Sequence, residues 1–153
     1  MYNRILVPLE KEGAPDGHLQ HASDLAAKLG AEIVLLRVIV VVPSEDYFFK
    51  RLQVEEGSSA AQRKAEAEDY LNRLVKQSHS HGVRAKIAVI VSDKAEHDAI
   101  VEYATQSDCD LITLPNQQRS LVSRWLQGNV TAKVQRRSPI PILLVRDEGE
   151  THA

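Results

Sequence analysis

The chain has 153 residues, one domain's length, with 19 Lys and Arg against 21 Asp and Glu and a formal net charge of -2. That near balance leaves no basic footprint for nucleic acid. The longest apolar run, 33–43, contains Arg37 and falls far short of the roughly 20 residues needed to span a bilayer, so no membrane insertion is expected.

Residues 5–9 (Ile-Leu-Val-Pro-Leu) form a short apolar run ahead of a loop, 10–17, that contains Gly, Pro and Asp. This is the pattern of a parallel strand buried on both faces. Leu19, Ala22, Leu25, Ala26 and Leu29 then recur at helical spacing, and Gly30 stops the helix. A second strand rich in β-branched residues is expected within 31–42, followed by a long loop, 41–57, that carries Tyr47, Phe48 and Phe49. Ser58 or Ser59 is placed to cap a long second helix with Ala61, Ala65, Tyr70, Leu71, Leu74 and Val75 on its buried side and Gly82 at its end. Residues 83–91 read as a third strand. Asp93 reads as the cap of a third helix with Ala95, Ala99, Ile100 and Tyr103 inward, and Asp110 opens a fourth strand that breaks at Pro115. A polar loop, 116–123, leads past Gly128 into a fourth helix bearing Val130, Ala132 and Val134, with Arg136 and Arg137 at the end where the dipole favours cations. Residues 140–145 close the chain as a fifth strand.

Strands alternating with helices along the whole length give βαβ units, hence an α/β fold with a doubly wound parallel sheet and helices on both faces. Two stretches carry a more specific signal: SRWLQG at 123–128 and PIPILLVR at 139–146. With them, 111–146 resembles the C-terminal signature of the universal stress protein (UspA) family, whose nucleotide-binding members carry a G-x2-G-x9-G-[ST] loop after strand four. The resemblance implies a five-stranded sheet in the order 3-2-1-4-5, a domain over 1–147 with a polar tail at 148–153, and a ligand crevice at the switch between strands one and four. The residues placed there are Glu10, Val38, Pro115, Gln118, Gly128 and Asn129. It also implies a homodimer through the last strand, with Ile140, Ile142 and Leu144 along its edge.

Position for position, the first two loop glycines fall on Pro115 and Gln118, the third is Gly128, and the Ser/Thr is Asn129. A phosphate loop works by turning bare backbone amides onto the anion. Pro115 has no amide, Gln118 disfavours positive φ, and Glu12 adds negative charge beside the phosphates. Gly128, Asn129 and either Arg119 or Arg124 remain as groups that favour phosphate. The expectation is therefore a stress-response binding or signalling module that works through an unidentified protein partner or an atypical ligand, with no certain cofactor. The alternative is a sensor of ATP or AMP, held mainly at its adenosine end by a slot beside Val38 and the carboxylate of Glu10.

Other residues carry less. His18 and His21 stand three apart without a third ligand, so both read as surface or interface residues and no metal is expected. His79 and His81 suit the end of helix two. Cys109 reads as a small buried residue, and as the single cysteine it rules out an internal disulfide. Trp125 reads as packing over the foot of helix four, with stacking on a ligand base as the alternative. The Tyr47, Phe48 and Phe49 cluster reads as packing, or as a partner patch or lid. There is no Walker lysine, G-x-S-x-G, H-E-x-x-H or G-x-G-x-x-G pattern, so no catalytic residue is assigned and no enzyme is expected. The opening MYNRILVPLE enters a strand without a leader-like apolar core, so a cytoplasmic setting is expected.

Overall fold

The computed structural model describes residues 1–41, 59–116, 125 and 129–146. The Tyr47, Phe48 and Phe49 cluster lies outside these residues. The elements are β1 (Arg4–Pro8), α1 (Gly17–Leu29), β2 (Glu32–Val40), α2 (Ala60–Ser80), β3 (Arg84–Ser92), α3 (Glu96–Gln106), β4 (Leu111–Asn116), α4 (Val130–Arg137) and β5 (Ile142–Arg146). The strands form one parallel sheet in the order β3-β2-β1-β4-β5.

Side-chain alternation divides the core. Ile5, Val7, Ile33 and Leu35 point to the side where Ala22 and Ala26 of α1 and Tyr70, Leu71 and Leu74 of α2 pack. Leu6, Val34, Leu36, Val38, Ile112 and Leu114 point to the opposite side, against Ala99, Ile100 and Ala104 of α3, Val130 and Val134 of α4, and Trp125. Leu6, Leu35, Leu36 and Leu71 are wholly or almost wholly buried; each such side chain contributes about 1.5–3 kcal/mol of burial. β1 reads as an apolar run, and β2 as one interrupted only by Arg37, because both of their faces are covered.

The helix ends follow local chemistry, with one correction. Gly30 takes φ 69 as the C-cap of α1 and its N–H bonds to Ala26, a left-handed conformation that costs glycine little. Ser59 caps α2, its hydroxyl accepting the N–H of Gln62 at 3.1 Å. Asp93 does not cap α3: Ala95 occupies that position without a side-chain bond, and it is the Ser92 hydroxyl that accepts from the N–H of Lys94 at 3.0 Å. Ala95 is accordingly exposed, and His97 takes the inward place beside Ala99, Ile100 and Ala104.

Two strand boundaries also move. β4 does not break at Pro115 but continues through Asn116, with Pro115 paired to Val145. The last strand begins at Ile142, two residues later than expected, because Pro141 before it offers only its carbonyl, which accepts from Ile112 N–H at 3.0 Å. No described helix is long and apolar enough to cross a membrane.

Candidate functional site

The sheet opens where the strand order reverses. β1 pairs with β2 over five residues, but with β4 only at Ile5–Leu111 and Leu6–Ile112. Beyond this point both strands carry a proline, Pro8 and Pro115. Ile112 N–H points to β5, so strand alternation turns the positions of Thr113 and Pro115 toward β1, where Pro115 has no N–H to give. Losing that amide costs β4 nothing on the β5 side, which is why the strand runs through it. Side chains also serve the carbonyls of β1 here: Thr113 Oγ1 donates to Leu6 O at 3.2 Å, and His18 Nε2 lies 2.7 Å from Pro8 O.

At the mouth of this opening Glu10 follows β1, and its side chain is buried. Its Oε1 accepts the backbone N–H of Trp125 at 3.2 Å. The indole is 2 % exposed and belongs to the apolar cluster that holds Leu36 and Val38 of β2, Ala99 of α3 and Val130 of α4. Its Nε1–H donates to Glu96 Oε2, on the first residue of α3, at 2.5 Å. Trp125 thus reaches from the end of β1 to the start of α3 across the apolar floor laid by the end of β2. Of the sequence candidates, Glu10 and Val38 meet here. Pro115 is buried in β4 and its carbonyl accepts from Thr131 Oγ1 at 3.3 Å. Asn129 is an exposed α4 N-cap at φ 57 without a side-chain cap bond. Gln118 and Gly128, with Arg119 and Arg124, lie outside the described residues.

Glu96 and Thr131 were not singled out by the sequence. Glu96 belonged to a stretch read for its helix cap, and no local pattern announces that its carboxylate meets an indole 29 positions on. Trp125 does pack on α4, as expected, and also holds two carboxylates.

Two expectations are corrected by placement, those for His18 and Glu12. His18 is not a surface residue: it is 2 % exposed, and its Nδ1 is buried with no hydrogen-bond partner. Burial holds its pKa below the ordinary imidazole value, outweighing the Pro8 carbonyl and the nearby Asp16 carboxylate. The Nε2–H tautomer, donating to Pro8, is the form that fits. His21 is exposed, as expected. Glu12 does not turn its charge into the crevice. Its two oxygens take Arg73 of α2 at 2.8 Å each, which lowers its pKa, while Arg73 also lies over the Tyr70 ring. Cys109 is buried and desolvation pushes its thiol up to about 11, which keeps it protonated and unreactive. Among the described residues no group of acidic, histidine or cysteine side chains is arranged to hold a metal ion.

The edge residues of the expected dimer divide their roles. Ile140, Ile142 and Leu144 are half-buried against the α3–α4 side of the chain's own core, while Leu143, turned to the other face, is 38 % exposed.

Comparison with known proteins places this geometry. The profile of the universal stress protein family matches residues 1–146. Universal stress protein MJ0577 of Methanocaldococcus jannaschii is 26% identical over 157 residues, covering 95% of this chain and 96% of the relative. A solved structure of MJ0577 superposes with a TM-score of 0.71 at 24% identity, covering 95% and 96%. A universal stress protein of Archaeoglobus fulgidus, solved in complex with dAMP, gives 0.68 at 17%, covering 94% and 97%. A further solved structure, of a universal stress protein in complex with cAMP, gives 0.59 at 21%, covering 96% and 98%. These likenesses carry the fold, including the strand order.

Proposed function

The chain belongs to the universal stress protein family, and from this premise we propose that it is a stress-response binding and signalling module. It works through protein contacts or an atypical ligand, and it neither catalyses a reaction nor holds ATP in the family's phosphate-loop manner. One observation carries this reading: the crevice carboxylate that a ribose would need, Glu10, already accepts the Trp125 N–H, and the indole lies on the apolar floor beside Val38. The loop positions agree. Pro115 offers no amide, and Gln118 and Asn129 stand where the pattern has glycine and a hydroxyl residue.

The second reading is an adenine-nucleotide sensor whose occupancy alters the dimer or its partners. What favours it is that two structural relatives were solved with dAMP and with cAMP, ligands with a single phosphate that ask less of a phosphate loop. In both readings the homodimer forms through β5, the outermost strand on its side of the sheet, whose unpaired edge suits an isologous two-fold contact.

The test is to denature purified protein and separate any released nucleotide by chromatography, then titrate ATP with Mg²⁺, and AMP, by calorimetry. The expected result is no stoichiometric nucleotide and no heat at millimolar ligand. Released ATP or AMP, or micromolar affinity, overturns the leading reading in favour of the sensor.

A further inference from the structure

We propose that the outer edge of β3 docks an extended segment of another protein, acidic at one end and apolar at the other, which adds to the sheet as a further strand. This rests on the reading above that the chain works through protein contacts, and names the surface. β3 forms one edge of the sheet, at the opposite side from β5. Ser92 O accepts the Val41 N–H at 2.8 Å, so the even positions of β3 face β2. The backbone groups of Ala85, Ile87, Val89 and Val91 therefore point outward, where no strand meets them among the described residues.

Edge strands are ordinarily blunted by shortness, proline, a bulge or charge. β3 is nine residues long and pairs with β2 consecutively from Arg84 to Ser92, without a bulge. It holds no proline, and its charges stop at Lys86. The run that follows, 87–91, is wholly apolar and none of it is buried, Val91 being 43 % exposed. Beside it lies a groove of about 460 Å³ between Ile90 and Val91, Val41 after β2, and Ala99 and Tyr103 of α3. Strand addition uses this combination: main-chain bonds hold the segment and a pocket selects its side chain.

Charge decides what the segment is. Arg84 bonds the Gly30 carbonyl, and Lys86 shares Glu32 with Arg4, which leaves the start of β3 positive. At the other end Lys94 is paired with Glu102, and Asp93 adds negative charge. Arg84, Lys86, Ala88 and Ile90 alternate onto one face of the sheet. The complementary strand carries carboxylates opposite Arg84 and Lys86 and apolar side chains opposite Ala88 and Ile90, the last over the groove. A second copy of this chain does not supply that pattern. Two-fold antiparallel pairing centred on Ala88 sets Arg84 against Ser92 and Lys86 against Ile90, and centring on Val89 sets Arg84 against Lys94.

Two end-blocked peptides, Glu-Thr-Glu-Thr-Val-Thr-Leu and its reverse, probe the two strand directions. At millimolar concentration one of them should slow amide exchange at Ile87, Val89 and Val91 of the full chain. Val91→Pro removes an outward N–H at no cost to the β2 ladder, and should weaken that peptide about tenfold. Arg84→Glu should shift preference to the same peptide with Lys in place of Glu. No slowing with either peptide, or slowing that both substitutions leave intact, overturns the proposal.

Outward amides that already exchange slowly in the free chain also overturn it. Release on dilution, with a smaller sedimenting mass for Val91→Pro, would identify a second copy as the occupant; no release would mean that the chain covers its own edge. The failures are distinguishable. Micromolar ATP or AMP binding by the native chain defeats the functional reading, whereas a silent β3 edge in a chain that binds no nucleotide defeats only this surface.

Discussion

Between β2 and β3 the backbone ladder runs through nine consecutive pairs, from Glu32–Arg84 to Val40–Ser92, whereas between β1 and β4 it stops after two. The first region holds itself together by main-chain bonds and continuous apolar faces. The second withholds main-chain bonds through Pro8 and Pro115; the His18 side chain serves the Pro8 carbonyl, and the Thr113 hydroxyl adds a bond to the Leu6 carbonyl at the last ladder pair. The contrast shows how a doubly wound sheet opens at its switch point: the two strands part where pairing is denied.

The largest effect should come from the laddered side. Leu35→Ala removes a fully buried side chain between the sheet and the α1–α2 layer, and should cost about 2–5 kcal/mol in denaturant unfolding, since the surroundings relax only partly around such a cavity. A loss under 1 kcal/mol would show that this half is less tightly packed than its burial implies.

The next effect belongs to the seam. His18→Leu keeps the volume and removes the donor to the Pro8 carbonyl, leaving a buried acceptor without that partner, at a cost of about 1–3 kcal/mol. It should also change the pH dependence. Burial lowers the folded pKa of His18, so the unfolded chain binds the proton more readily and stability is lost as pH falls below about 6.5, the unfolded value, toward the folded one. Asp16 pulls the other way without reversing the direction, and His97, also lowered by burial, adds to the same window. Unfolding curves between pH 7.5 and 5 should therefore be shallower in pH for His18→Leu than for the native chain. Equal slopes would remove His18 from the account.

The same contrast explains what the sequence disclosed. The laddered half was legible because the apolar runs at 5–9 and 33–43, the second interrupted only by Arg37, and the helical spacing of Leu71 and Leu74 are local signals. The strand order came from the family resemblance at 111–146, and the structure bears it out. The seam was read less well, because its contacts join residues far apart in the chain. His18 looked like a surface histidine since its partner is a backbone carbonyl, which no residue type advertises. Glu12 looked like a charge in the crevice since Arg73, its partner, lies 61 positions away. Pro115 reads as a strand end in the sequence because a proline's cost depends on which neighbour its missing N–H would face, and that is known only once the register is fixed.

The smallest effect tests that last point most directly. Pro115→Val gives β4 the amide it lacks on the β1 side, opposite a Pro8 carbonyl that His18 already engages. One new bond adds at most about 0.5–1.5 kcal/mol, and releasing the proline's constraint on the unfolded chain takes back part of it, about 0.4–1 kcal/mol. The net change in stability should therefore stay within about 1 kcal/mol, and the informative measurement is hydrogen exchange at residue 115. Rapid exchange beside well-protected Leu114 and Asn116 amides, whose N–H groups face β5, would mean that the opening persists without its proline and is held by His18 and Trp125. Strong protection would mean that the ladder closes once a donor is present, making Pro115 itself the element that keeps the crevice open.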